Sequence, residues 1–420
     1  MDLIETFGAK IGALSEEKPQ RARQLLTAGF RANGVKNKLA SKRSSKSDRM
    51  LFQLVNRAMV TCLAKPQSNV MVSLFTPCEM LHLQGLHPYS CEGFSSYLSG
   101  AMAEQPFLHQ AEDTGIPNSL CSYHKVFIGA AQMGLMPKPR FILSTSLACD
   151  ANTLTFRHLA QFYDVPHFNV DIPFESSPQA VDYVAGQLRQ MGEFLTRQTG
   201  LPLDDGQLAR TVARSQRTMA LYHRGIRLRA GRQVLSDLTS ELLRTAAFHF
   251  LLGTPETEAY ARQLLREITT APPAQGKQLL WIHTTPYWVA PLRHLFAQST
   301  RVQVAACDMS YEGIVEADPT KPYEAMARRL VYSPFNGPAQ RRIDRALEMA
   351  KTVGADGAVW FCHWGCKHTL GGARLGKKAL EEAGLPTLLL DGDSCDRGFG
   401  GEGQAATRME AFLEVLEGMA

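Results

Sequence analysis

Two kinds of hydrophobic pattern alternate along the chain. Short apolar runs bounded by turn residues occur at 69–75 (NVMVSLF), 140–146 (RFILSTS) and 167–172 (HFNVDI), and again at 277–283, 301–306, 357–361 and 386–391. Between them lie segments with apolar residues three and four positions apart, such as SLCSYHKVFIGAAQMGL and NTLTFRHLAQFYD. Strands that alternate with helices predict βαβ units and parallel sheets. From Ser177 to Ala271 the strand pattern disappears and only helical spacing remains. The first sixty residues also read as helical. The pattern therefore predicts an α/β protein with two Rossmann-like parallel-sheet domains. A helical N-terminal segment (1–66) precedes the first α/β domain (67–176), and a helical connector (177–271) leads to the second (272–420).

The 420 residues are 45% hydrophobic, with 33 Gly and 22 Pro dispersed among them, enough for several buried cores. No apolar run approaches the length of a membrane span. The start MDLIETFGAKIGALSEEKPQ has early acids and no apolar signal core. The expectation is a cytoplasmic protein with no membrane partner. The net charge of +5 is local. Residues 1–50 hold eleven Lys and Arg against five Asp and Glu, a net +6, whereas the remainder is −1. The basic run RANGVKNKLASKRSSKSDR reads as a solvated surface segment. A nucleic-acid arm or a dock for an acidic partner is the weaker reading.

The nine cysteines change the picture. Cys78, Cys149, Cys307, Cys362, Cys366 and Cys395 all fall within a few residues of the carboxyl end of a strand, the edge where open parallel sheets bind ligands. Cys121 falls at a helix start, where backbone amides favour a thiolate. An odd number in a reducing compartment argues against a disulfide framework. Three readings stay open from spacing alone. The cysteines are buried core residues, or several hold an iron–sulfur cluster from separate loops, or they bind zinc, for which the tight CxxC pairs are missing. Cys62 reads as a core residue of an amphipathic helix. Cys91 and the histidines at 82, 87, 124, 363 and 368 are weaker candidates.

The segment HWGCKHTLGGARLGKKALEEAGLPTLLLDGDSCDR and the following GEGQAATRMEAFLEVLE resemble the C-terminal signature of the 2-hydroxyacyl-CoA dehydratase family. That family also includes benzoyl-CoA reductase subunits and double-cubane cluster reductases. Upstream, SLFTPCEML resembles the family's strand with a Pro-x-Glu turn. SLCSYHKVFIGAA and TSLACDANT resemble its two cysteine segments. The match runs from about residue 69 to the C-terminus. It implies that Cys121, Cys149 and Cys366 ligate a [4Fe–4S] cluster and that Glu79 is an acid/base or substrate-positioning group. The extra thiols of Cys78, Cys362 and Cys395 raise the alternative of a double-cubane [8Fe–9S] cluster with six thiolates.

The activity implied is water elimination from a 2-hydroxyacyl-CoA by adding one electron to the thioester carbonyl, with an open iron as Lewis acid. The electron would come from a separate ATP-dependent iron–sulfur activator protein. The chain would form a homodimer, or a heterodimer with a homologous subunit. The competing readings are a double-cubane reductase of small molecules and a non-catalytic electron-transfer accessory. Trp360, Phe361 and Trp364 are expected to exclude water from the site, or to be ordinary core aromatics. Two phosphate-loop imitations carry no weight. Gly371, Gly376 and Lys377 follow no strand directly and are followed by Lys378 where a P-loop needs Ser or Thr, and after Gly398, Gly400 and Gly403 only 17 residues remain for the strand and acidic residue of a nucleotide fingerprint.

Overall fold

The computed structural model describes residues 3–39, 44–234, 236–310 and 317–419. Strands β1 (Asn69–Val72), β2 (His87–Ser90), β3 (Phe141–Thr145) and β4 (His167–Val170) form one sheet in the order β2-β1-β3-β4. Strands β5 (Lys277–Ile282), β6 (Val302–Cys307), β7 (Gly357–His363) and β8 (Thr387–Gly392) form a second in the order β6-β5-β7-β8. Every pairing is parallel. The strand order is therefore the same in both sheets, and it reverses between β1 and β3 and between β5 and β7. Such reversals leave a crevice at the carboxyl ends of the strands.

Most of the strands are short apolar runs because helices cover the faces of a parallel sheet. β1, β3 and β7 are buried along their whole length. β2 was not legible as a strand. Its sequence HPYS is short and contains Pro88, which a strand tolerates at a sheet edge, and the edge is where β2 lies. β7 runs two residues further than the apolar pattern suggests, through His363. Cys362 is thus inside the strand rather than beyond it, and its thiol lies near Asp391 and Arg408.

Helices Leu3–Glu17, Pro19–Leu39 and Lys46–Ala64 make up the N-terminal segment. Residues 40–43 of the basic run lie outside the described residues. Between the sheets stand Pro178–Thr199, Asp205–Leu228, Leu238–His249 and Pro255–Thr270. Each of these four starts at a Ser, Asp or Thr whose side chain accepts from the amide three residues on: Ser177, Asp204, Asp237 and Thr254. Such caps satisfy amides that a helix start leaves open. Both phosphate-loop imitations are helical punctuation. Lys377 sits within helix Ala373–Glu382 and donates to the Thr387 carbonyl, and Gly401 caps the final helix, Glu402–Gly418. No helix among the described residues is long and apolar enough to cross a membrane.

The two sheets meet across a polar seam. The Tyr287 hydroxyl, past β5, donates to the Ser96 carbonyl of the first domain. The Ser122 hydroxyl donates to Asp393 Oδ1 at 2.6 Å, and the same oxygen accepts from the amides of Cys395 and Asp396, each at 2.7 Å.

Candidate functional site

Three cysteines come together on this seam. Cys121 caps helix Ser122–Gln132, Cys149 caps helix Asp150–Tyr163, and Cys366 caps the single turn Lys367–Leu370. All three line one cavity of roughly 860 Å³. They are the partly accessible cysteines; the other six are buried. Burial pushes each thiol up, Cys149 to about 12, and the neighbouring sulfurs push Cys121 and Cys149 further. Opposing this are the amides of Tyr123 at Cys121, of Ala151 and Asn152 at Cys149, and of His368 and Thr369 at Cys366. None closes a regular capping hydrogen bond. The arrangement leaves the sulfurs turned toward the cavity with amide dipoles behind them.

The approach of Cys366 to Cys121 depends on Gly365. Its φ of +78° is in the left-handed region, and a Cβ there would stand 2.6 Å from the Cys121 nitrogen and 2.7 Å from its Cα. Only glycine permits that contact without backbone movement.

Two histidines touch the thiols. His363 Nε2 is 3.2 Å from Cys121 Sγ, and His124 Nε2 is 3.8 Å from Cys149 Sγ. A third, His283, follows β5 at the strand-order reversal and also lines the cavity. Its φ is +82°, rare outside glycine. Its amide donates to Asp308 Oδ1 at 2.7 Å, and its Nδ1 accepts from Arg342 Nη2 at 3.5 Å. Arg342 is itself paired with Asp308 at 2.7 Å. Nε2 of His283 is buried without a hydrogen-bond partner. The sequence reading missed His283. Its signal was position alone, at the end of the run 277–283.

The other expected site residues lie elsewhere. Cys78 is buried over the Thr76 carbonyl, with Glu79 and Arg329 nearby. Cys362 faces Asp391 and Arg408. Cys395 is buried over the Ser95 carbonyl behind Cys121, and it does not line the cavity. Cys62, Cys91 and Cys307 are core residues. Glu79 is fully buried and also off the cavity lining. Arg329 grips both its oxygens, at 2.7 and 3.1 Å, and the Ser215 hydroxyl donates to it at 2.9 Å. Arg329 holds this carboxyl below its usual range although burial opposes it. A carboxylate locked in that way ties the first domain to the connector and to helix Pro322–Val331 of the second.

The aromatics around Cys362 and Cys366 do not wall the cavity. Trp360 is buried under helix Ala373–Glu382 and donates to Thr369 Oγ1 at 3.0 Å, Phe361 is buried, and Trp364 is 48% exposed. None of the three lines the cavity. Phe75, Tyr123 and Phe335 wall its thiol end, and Phe7, Phe30, Phe52, Tyr97 and Leu242 continue it as an apolar channel toward the N-terminal helices, where Lys36 is exposed.

Among the described residues, no three His, Cys, Asp or Glu side chains are grouped as one metal ion requires. The donor set instead suits a larger anionic inorganic group. It has three thiols on separate loops, backbone dipoles behind each, and an orphaned imidazole nitrogen beside them.

Two like-ordered parallel sheets that meet at a thiol-lined crevice place the chain among α/β proteins with paired Rossmann-like halves. The chain belongs to the family described as 2-hydroxyglutaryl-CoA dehydratase, D-component, whose profile matches residues 73–416. A curated relative, the (R)-phenyllactyl-CoA dehydratase alpha subunit of Clostridium sporogenes, is 22% identical over 337 residues, covering 74% of this chain and 80% of its own.

Proposed function

We propose that this chain is the iron–sulfur component of a 2-hydroxyacyl-CoA dehydratase-type enzyme, a lyase in which Cys121, Cys149 and Cys366 hold a [4Fe–4S] cluster. The observation that carries the reading is the convergence of these three thiols, and only these, on one cavity. When bound, such a cluster supplies a single low-potential electron and one iron site open to an oxygen ligand. The protein's part is binding, orientation and exclusion of water. The apolar channel suits the acyl side chain of a 2-hydroxyacyl thioester, and its aromatic walls suit an aromatic or branched group better than a carboxylate. The phenyllactyl group in the relative's name agrees with that preference. The cation at Lys36 suits the phosphates of a coenzyme A carrier.

The electron donor in this proposal is an ATP-dependent iron–sulfur activator that docks from outside. A homologous second subunit is part of the proposal too, supported by the relative's designation as an alpha subunit. Burial of Cys78, Cys362 and Cys395 away from the cavity favours the three-thiol [4Fe–4S] cluster over the six-thiol [8Fe–9S] cluster.

The test is anaerobic purification with iron and sulfide quantitation. About four irons per chain are expected, retained in Cys78→Ser and Cys362→Ser and lost in Cys121→Ser, Cys149→Ser and Cys366→Ser. Iron-free protein after reconstitution, or iron lost equally from all five variants, would overturn the proposal.

A further inference from the structure

His363 closes β7 and is buried at 1% exposure. Its two ring nitrogens have different partners. The Ser394 amide donates to Nδ1 at 3.1 Å. A nitrogen that accepts from an N–H carries no hydrogen of its own, so the ring is neutral and its hydrogen sits on Nε2. That nitrogen is 3.2 Å from Cys121 Sγ. The Tyr123 ring meets the imidazole edge-on at 5.3 Å between centroids, and Phe361 stacks on it at 6.5 Å, so the ring plane is fixed. Ser394 is fixed in turn by its hydroxyl, 2.6 Å from that of Thr284. The result is a built donor of one orientation, aimed across the domain seam at one sulfur.

From this geometry we infer that His363 is a positioning residue that donates Nε2–H to the Cys121 thiolate and thereby sets the reduction potential of the bound centre. The inference rests on the cluster reading above and concerns only how the protein tunes it. A hydrogen bond to a ligating sulfur withdraws charge and stabilises the reduced, more negative state more than the oxidised one. The neighbouring thiols face two backbone amides each, against one at Cys121, but no side-chain donor as close. His124 stands 3.8 Å from Cys149, and no imidazole contact at hydrogen-bonding distance is seen for Cys366 among the described residues. The side-chain part of the tuning is therefore asymmetric and falls on the ligand whose helix comes from the opposite domain to His363.

The experiment is an EPR-monitored redox titration of the reconstituted wild type, His363→Phe and His363→Gln, with iron and sulfide measured on the same samples. His363→Phe keeps a planar ring and removes the donor, and His363→Gln restores an N–H. The expected result is unchanged iron in all three. The Phe variant's potential falls by about 59 mV, a tenfold weaker stabilisation of the reduced form in a one-electron couple, and the Gln variant recovers part of the shift. Equal potentials with iron retained would overturn the inference while leaving the cluster reading intact; an iron-free wild type would remove that reading and the inference with it. If His363→Phe does not fold, wild-type protein labelled with 15N-histidine decides the matter by pulsed EPR. A single coupled, exchangeable N–H is expected, and its absence refutes the role.

Discussion

Replacing Glu79 by Gln separates two accounts of that residue. In the structure its carboxylate is fully buried and bonded bidentately to Arg329, which keeps 19% side-chain exposure, while Ser215 adds a third hydrogen bond. Removing one partner of a buried ion pair costs roughly 3–5 kcal/mol, because the other charge is left uncompensated. Arg329 retains some access to water, which places the expected loss near the lower end, about 3 kcal/mol. That is more than a hundredfold in the folding equilibrium. Urea unfolding of the wild type, Glu79→Gln, Arg329→Met and the double variant measures it. The single variants should shift the midpoint without changing the slope, and the cycle should give a coupling of at least ~2 kcal/mol.

The pH dependence has a defined sign. The folded carboxyl lies below its ordinary value of 4.5. The pair's stabilisation is therefore complete above that value, and it disappears as pH falls through the lower, folded one. A Glu79→Gln protein as stable as wild type but devoid of dehydratase turnover would refute the clamp and restore Glu79 as a catalytic group.

Two further outcomes follow from the site geometry. Gly365→Ala places a methyl against the Cys121 backbone at a φ that alone costs an L-residue about 1–2 kcal/mol; lower thermal stability and substoichiometric iron are expected, and normal values of both would contradict the close approach. Leu242→Trp fills the apolar channel between the N-terminal helices and the thiols; iron content should persist while thioester affinity, read by isothermal titration, falls at least tenfold, and unchanged affinity would place the acyl group elsewhere.

The sheets were readable because both faces of a parallel sheet are largely apolar, so seven strands stood out as short apolar runs. β2 did not, since an edge strand of four residues with a proline carries no such run. Proximity to strand ends singled out Cys149 and Cys366, which line the cavity, together with Cys78, Cys362 and Cys395, which do not. Cys362 belongs inside β7, and Cys78 turns into the core beside the Glu79 ion pair. Chain position cannot say which way a side chain leaves a loop. His283 was invisible for a related reason. What sets it apart is a left-handed backbone, an Arg342 contact and an unmatched nitrogen, all products of tertiary packing. The ion pair of Glu79 was not legible because its partners, Ser215 and Arg329, lie far away in sequence.

The split origin of the three thiols has a consequence for biosynthesis. Cys121 and Cys149 emerge early from the ribosome, whereas Cys366 follows about two hundred residues later, after the whole helical connector. A nascent half-chain thus presents only two of the three thiols. If the proposed cluster is held by all three, its assembly must wait until Cys366 has been made, and the insert would then rivet together lobes that were made at different times.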